Sequence, residues 1–214
     1  MSIFFHIGLH KTGSTYLQKT IFSSIKNTIY ISYFKNKKYF NEVENFQKFN
    51  YFFFEKKKIK NLFKLNNIKK NVIISSEQFS GNGDYHAIGG GKHLFNHFYF
   101  IKKFFPKAKI ILILRNQKDL MLSFYKDEVA RGLTLSYEKW MINQISYDSI
   151  TYLRYDKIIN VLTKVFGKKN LVIDFYEDIF RDKKSMKKFL KQISSEKISI
   201  NFNNLKINKS INEN

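Results

Sequence analysis

The fold is decided by one stretch near the start of the sequence, Ile3-Phe4-Phe5-His6-Ile7-Gly8-Leu9-His10-Lys11-Thr12-Gly13-Ser14-Thr15. Its apolar first half predicts a β-strand over residues 2–7, and the residues from Ser14 predict a helix that ends near Ser24. Where a strand enters a helix through a glycine-bounded turn, free backbone N–H groups and the helix dipole both favour negative charge. The stretch therefore predicts an anion-binding turn.

The side chains of this turn strengthen that prediction. Lys11 adds a full positive charge, Ser14 and Thr15 add hydroxyls, and Gly8 and Gly13 permit close approach of the backbone. The spacing is not that of a Walker A loop, in which Gly-Lys-Ser/Thr follows four intervening residues. The alternative is an ordinary capped strand–helix turn, which the combination of lysine, serine and threonine in one turn disfavours.

Strands and helices alternate along the rest of the chain, which predicts an α/β fold with a central parallel sheet. Further strands are predicted at 28–32, 71–76, 108–114 and 171–175, and helices at 41–65, 92–105, 117–131, 136–144, 152–166 and 182–193. The strand at 108–114 is apolar apart from Lys109, which is typical of a central strand buried on both faces. We therefore expect one domain over residues 1–193, followed by a polar tail over 194–214 that frays.

Composition limits the class of protein. The 214 residues are 43% hydrophobic and 17% aromatic, which excludes global disorder. No apolar run approaches about 20 residues, so no transmembrane segment is expected, and the N-terminus lacks the features of a signal peptide. The absence of cysteine excludes thiol catalysis and Cys-based zinc sites, and the five histidines lack metal-site spacing. We expect a cytoplasmic protein without a metal.

The formal net charge of +21 favours an anionic partner, such as nucleic acid, anionic lipid or an anionic cosubstrate. Part of this excess reflects a composition rich in Lys, Asn, Ile, Phe and Tyr, the residues of AT-rich codons. Base edges are usually read by arginine, and only four of the 38 basic residues are arginines. No specific nucleic-acid partner is therefore expected, and peripheral contact with a membrane stays open.

A second candidate anion site follows the strand at 108–114. Arg115 stands at the end of this strand, and Ser123 lies eight residues on, about two turns into the next helix. An arginine fork and a serine hydroxyl at that separation can hold one phosphate. Taken alone, the pair fits a salt-bridged arginine and a surface serine better; beside the first turn, the phosphate site is favoured.

These segments together resemble one family. The run His6-Ile7-Gly8-Leu9-His10-Lys11-Thr12-Gly13-Ser14-Thr15-Tyr16-Leu17-Gln18 resembles the 5′-phosphosulfate loop of sulfotransferases that use 3′-phosphoadenosine 5′-phosphosulfate (PAPS). It is most similar to bacterial enzymes of the carbohydrate-type branch. Arg115 and Ser123 resemble the family's 3′-phosphate motif, with Gln117 in place of a common proline and Leu120 in place of a frequent arginine. Residues 165–173 and 176–178 are more weakly similar.

The resemblance implies a three-layer, P-loop-like fold and transfer of a sulfuryl group from PAPS to an acceptor hydroxyl on a carbohydrate or glycolipid. The residues that would hold the 5′-phosphosulfate are Lys11, Thr12, Gly13, Ser14 and Thr15, and those that would hold the 3′-phosphate are Arg115 and Ser123. Lys11 would also act in catalysis, because negative charge grows on the bridging oxygen as the S–O bond breaks.

Glu77 is the first candidate for a general base. It follows the strand at 71–76, at the sheet edge where ligands of α/β folds bind, and Ser75-Ser76-Glu77 resembles a segment that carries a catalytic glutamate in carbohydrate-type enzymes. Its alternative is a solvated glutamate that caps a helix. His10 is the second candidate and His86 the third, whereas His6 is expected in the core.

Other interpretations stay open at this point. A nucleotide kinase is disfavoured because no magnesium-binding aspartate stands at the end of the central strand. A basic nucleic-acid-binding module and a degenerate sulfotransferase that binds PAPS without turnover are further alternatives. The glycine-rich segment 81–91 fits either a lid or an insertion, and residues 46–70 fit an amphipathic helix better than a single-strand or membrane-surface binder.

Overall fold

The computed structural model describes residues 2–35, 70–80, 94–146 and 153–194. Its strands form one sheet, and they are β1 (Ile3–Gly8), β2 (Thr28–Ile31), β3 (Asn71–Ser76), β4 (Lys109–Leu114) and β5 (Leu171–Phe175). The strand order is β2-β3-β1-β4-β5, and every neighbouring pair is parallel. This confirms the predicted α/β fold with a central parallel sheet.

Helices flank this sheet. They are α1 (Ser14–Tyr16), α2 (Leu94–Phe104), α3 (Gln117–Ala130), α4 (Tyr137–Ser146), α5 (Tyr155–Phe166), α6 (Tyr176–Ile179) and α7 (Lys183–Lys191). The chain continues from α1 through a π-helical turn (Leu17–Ile21) and a 3₁₀ turn (Phe22–Ser24), and further 3₁₀ turns cover Glu77–Ser80 and Lys168–Asn170. The predicted helix at 41–65, the glycine-rich segment 81–91 and the tail after residue 194 lie outside the described residues.

The core lies on both faces of the sheet because side chains alternate along each strand. On one face, Phe5 belongs to an apolar cluster with β3, β4, α2 and α5. On the other, Phe4 packs with the helical turns after Ser14 and with α7. Helix α3 joins α4 in a smaller cluster around Trp140. In the part of the chain that the structure describes, no helix is long and apolar enough to cross a membrane.

Strand β1 lies at the middle of the sheet, between β3 and β4. The chain runs to β2 and β3 on one side of it and to β4 and β5 on the other. In parallel sheets, a ligand crevice forms at such a change of direction, outside the carboxyl ends of the strands. The topology therefore places the turns after β1, β3 and β4 at one edge.

Candidate active site

Hydrogen bonds join the three turns at this edge. The Ser80 hydroxyl, in the turn after β3, donates to the Gly8 carbonyl at 2.8 Å. The Arg115 guanidinium, in the turn after β4, donates through Nη1 to the Lys11 carbonyl at 2.7 Å. The structure thus brings together the two turns that the sequence singled out as separate anion sites.

The first turn has a backbone suited to anions. Lys11 and Gly13 both have left-handed backbone conformations, with φ of 62° and 77°. Left-handed residues just before a helix occur in the concave backbone nests that bind phosphates. The Thr12 hydroxyl is buried and donates to the Leu9 carbonyl at 2.5 Å, which braces the turn. Thr12 can therefore offer an anion its backbone N–H rather than its hydroxyl.

Two aromatic rings pack directly against this turn. A Cβ atom at Gly13 would lie 2.8 Å from the Phe180 ring and 3.0 Å from the Tyr176 ring. These two rings pack on each other with centroids 4.8 Å apart. The turn can approach the rings this closely only because residue 13 has no side chain.

We expect Gly13→Ala to lower the free energy of unfolding by about 3 kcal/mol, from roughly 1–2 kcal/mol of left-handed strain and a similar amount for displaced rings. For a chain of this size, that lowers the melting temperature by about 6–12 °C. Gly132→Ala is the matched control, since Gly132 has φ of 104° and a methyl group added there would have no atom within 4 Å. Equal losses in the two variants by calorimetry would contradict the packing argument.

Lys11 pairs with a carboxylate that the sequence did not single out. Its Nζ lies 2.8 Å from Oδ1 of Asp127 on α3, and Oδ2 of Asp127 lies 3.0 Å from Arg131. Ser123 precedes Asp127 by four residues and therefore lies on the same face of α3. This spacing is the signal that could have linked Asp127 to the site.

Arg115 presents its guanidinium beside the first turn. Besides its bond to Lys11, the group lies 4.8 Å from the centre of the Tyr176 ring, a cation–π distance. The Nε atom of Arg115 is buried, and it has no hydrogen-bond partner among the described residues. A buried donor without an acceptor is costly, so an anion that accepts this hydrogen bond would be favoured.

Two contacts hold the backbone of the second turn. The Tyr155 hydroxyl donates to the Arg115 carbonyl at 2.8 Å, and the Asn116 N–H donates to Oε1 of Glu177 at 2.9 Å. Burial raises the pKa of Tyr155 to about 12, so the hydroxyl keeps its proton and its donor role. Neither residue was a sequence-predicted site residue, although Glu177 lies in the segment 176–178 that resembles the family.

Glu77 and His10 lie together at the same edge. Oε2 of Glu77 lies 3.3 Å from Nδ1 of His10, and the Glu77 side chain is 31% exposed. Burial raises the pKa of Glu77, but the hydrogen bond and charge of His10 and the Ser14 hydroxyl outweigh it, so the pKa lies below its ordinary value. Glu77 is therefore a carboxylate at neutral pH, able to accept a proton.

His6 lies in the core, as predicted. Its Nδ1 accepts from or donates to the Ser75 hydroxyl at 2.7 Å, and the amide of Gln18 donates to the same hydroxyl at 2.9 Å. Burial lowers the pKa of His6 to about 4, although the charge of Glu77 raises it, so the ring is neutral at pH 7. His86 lies outside the described residues.

The edge thus combines a cationic, N–H-rich turn, an arginine with an unsatisfied donor and a carboxylate beside a histidine. Such a set can bind a polyanion and take a proton from an attacking group. Across residues 2–35, 70–80, 94–146 and 153–194, no group of three or more His, Cys, Asp or Glu side chains could hold a metal.

Known proteins resemble the chain in sequence pattern and in fold. Residues 3–212 match the family model described as sulfotransferase domain. A sulfotransferase from Alicyclobacillus acidocaldarius superimposes with a TM-score of 0.60 and 18% identity, covering 92% of this chain and 83% of that one. Mouse sulfotransferase SULT7A1, solved with PAP, gives a TM-score of 0.50 and 18% identity, covering 94% of this chain and 60% of that one.

No curated protein matches the sequence. The two solved structures share the fold of this chain, and the family model spans nearly all of its length. The match confirms the family that the first turn and the Arg115 segment resemble. The chain belongs to the sulfotransferase domain family.

Proposed function

We propose that the protein transfers a sulfuryl group from PAPS to the hydroxyl of a carbohydrate acceptor. The observation that carries the proposal is the 2.7 Å hydrogen bond from Arg115 to the Lys11 carbonyl, which joins the two turns that resemble the two halves of a PAPS site. The mouse relative was solved with PAP, which supports the same class of donor here.

The donor would be held at both ends. The 5′-phosphosulfate would lie in the first turn, on Lys11, Thr12, Gly13, Ser14 and Thr15. The 3′-phosphate would lie against Arg115 and Ser123, where the buried Nε of Arg115 needs an acceptor. Because Arg115 also donates to the Lys11 carbonyl, the same side chain would bind the 3′-phosphate and hold the turn that binds the 5′-phosphosulfate.

Lys11 and Glu77 would have different tasks in the reaction, charge stabilisation and proton transfer. Sulfuryl transfer resembles phosphoryl transfer, in which a loose transition state leaves mostly positioning and charge stabilisation to the protein. Lys11 would neutralise the negative charge that grows on the bridging oxygen as the S–O bond breaks. Glu77, a carboxylate at neutral pH, would take the proton of the acceptor hydroxyl as its oxygen bonds to sulfur. His10 would orient Glu77 or serve as the base in its place.

The finer assignments have different bases. The carbohydrate or glycolipid acceptor rests on the resemblance to the carbohydrate-type branch, whereas a cytoplasmic location and a catalytic domain over residues 1–193 rest on the composition and on the order of the predicted elements. Transfer of ³⁵S from labelled PAPS into a host glycan extract tests activity and acceptor class together. Label in protein, or in neither glycan nor glycolipid, would contradict the carbohydrate acceptor.

Calorimetry with 3′-phosphoadenosine 5′-phosphate (PAP) tests the donor site, and we expect binding without added metal. Ser123→Ala should weaken PAP binding about tenfold, as expected for loss of a hydrogen bond to a charged group. It should spare adenosine 5′-phosphosulfate, which lacks the 3′-phosphate. Arg115→Ala should weaken both ligands, because Arg115 also bonds the Lys11 carbonyl. Equal losses for the two ligands in Ser123→Ala would remove Ser123 from the phosphate site.

The same protein samples separate the competing functions. Magnesium-dependent ATP turnover would establish a kinase instead. Tight DNA or RNA binding with a steep salt dependence, unchanged in Lys11→Ala, would establish a nucleic-acid-binding module. PAP binding with no transfer to any acceptor would indicate a degenerate sulfotransferase.

A further inference from the structure

We propose that Asp127 is a positioning residue that competes with the donor nucleotide for Lys11 and thereby speeds release of the bisphosphate product. The inference rests on the proposed function, since it concerns the same lysine. Its starting point is the ion pair of 2.8 Å between the Lys11 ammonium and Asp127.

The Lys11–Asp127 ion pair is short and partly buried, so it can affect how strongly the turn binds an anion. The Lys11 and Asp127 side chains are 30% and 26% exposed, so solvent screens their attraction less than it screens a fully exposed pair. An anion that uses the Lys11 charge must share it with a carboxylate already in contact. Asp127 therefore acts as a built-in competitor, which lowers the affinity for any anion at this turn.

Two contacts lower the free-energy cost of moving the Lys11 side chain from Asp127 to another anion. Asp127 keeps a second cation, Arg131, at 3.0 Å, so its carboxylate is not left unpaired when Lys11 moves to another anion. The Lys11 backbone is held by Arg115 at its carbonyl. Only the flexible Lys11 side chain has to change partner, and the turn that binds the anion keeps its shape.

The exchange would act at the end of the reaction. In many enzymes the release of product limits turnover. After sulfuryl transfer, the 5′-phosphate of PAP would still be bound by Lys11. The Asp127 carboxylate, held nearby by Arg131, would compete for the ammonium and shorten the lifetime of the complex.

Asp127→Asn tests the inference, because asparagine keeps the size of the side chain and removes its charge. We expect about tenfold tighter PAP binding by calorimetry, from the loss of a competing half-buried charge near the ligand. Stopped-flow displacement should show that the gain lies mainly in a slower dissociation rate. In a Lys11→Ala background the gain should shrink to about twofold or less, because the group for which Asp127 competes is missing.

Arg131→Ala gives a change of opposite sign. Without Arg131, the Asp127 carboxylate keeps its ion pair with Lys11 but loses the one with Arg131. Asp127 should then hold Lys11 more tightly, and PAP should bind about twofold more weakly. Thermal unfolding of each variant reports whether the fold is kept.

The outcomes are distinct. If the unmodified protein binds PAP and Asp127→Asn binds it equally or more weakly, the inference is overturned and the proposed function stands. A gain of the same size with and without Lys11 also overturns it, since Asp127 would then act by general charge alone. Failure of every variant and of the unmodified protein to bind PAP overturns the inference together with the proposed function.

Discussion

Lys11→Ala should lower the rate of sulfuryl transfer by about 10²–10³, the loss seen when one preorganised donor to a developing negative charge is removed. The backbone of the turn is fixed by Arg115 before the donor binds, so only the Lys11 side chain has to leave Asp127 to reach the donor. Because the charge on the bridging oxygen grows only as the S–O bond breaks, the loss should fall mainly on kcat.

Lys19→Ala is the matched control for this experiment. Lys19 lies eight residues on, in the π-helical turn, and its Nζ contacts the Phe34 ring at 4.6 Å. It carries the same charge but takes no part in the first turn, so its loss should change the rate by about twofold or less, as expected for a surface residue. Comparable losses in both variants would assign the effect to net charge rather than to Lys11.

The fold was predictable because its signals are local. The strand predicted at 171–175 matches β5, and the run at 108–114 contains β4, because mainly apolar segments bounded by polar turns identify strands of a parallel sheet. The helix predicted from residue 152 begins instead at Tyr155, whose hydroxyl bonds the Arg115 carbonyl. This contact joins residues 40 apart in the chain, so no local pattern contains it.

The start of α3 illustrates how a departure from the family pattern is accommodated. Gln117 replaces a common proline, a residue suited to the first position of a helix. Here the Asn116 side chain accepts hydrogen bonds from the backbone N–H groups of Lys118 and Asp119, which satisfies two donors at the helix start. The Gln117 amide also donates to the Leu153 carbonyl at 2.7 Å. The turn after β4 is therefore fixed without the proline.

The site was predictable only in part. That Lys11, Glu77 and Arg115 meet at one edge follows from parallel strands and their order in the sheet. The pairing of Lys11 with Asp127 does not, because it depends on how α3 lies across the first turn. Glu177 is similar, since its contact with Asn116 joins residues 61 apart in the chain.

Glu77→Gln should lower turnover by about 10², a typical contribution of a general base, while PAP affinity stays within about twofold. Glutamine keeps the size of the side chain and a hydrogen-bonding oxygen, so its contacts with His10 and Ser14 need not be lost. It cannot take the proton of an acceptor hydroxyl at neutral pH. Turnover equal to that of the unmodified protein would remove Glu77 from the base role.

The pH dependence separates Glu77 from His10 as the base. Because the Glu77 pKa lies below its ordinary value, the carboxylate persists as pH falls from neutrality, and turnover should decline only at strongly acid pH. His10→Gln removes the charge and the histidine hydrogen bond that lower this pKa, while burial, which raises it, remains. The acid decline of turnover should therefore move to higher pH in His10→Gln. If His10 were the base, His10→Gln would instead lose turnover at every pH, and its acid limb would not simply move.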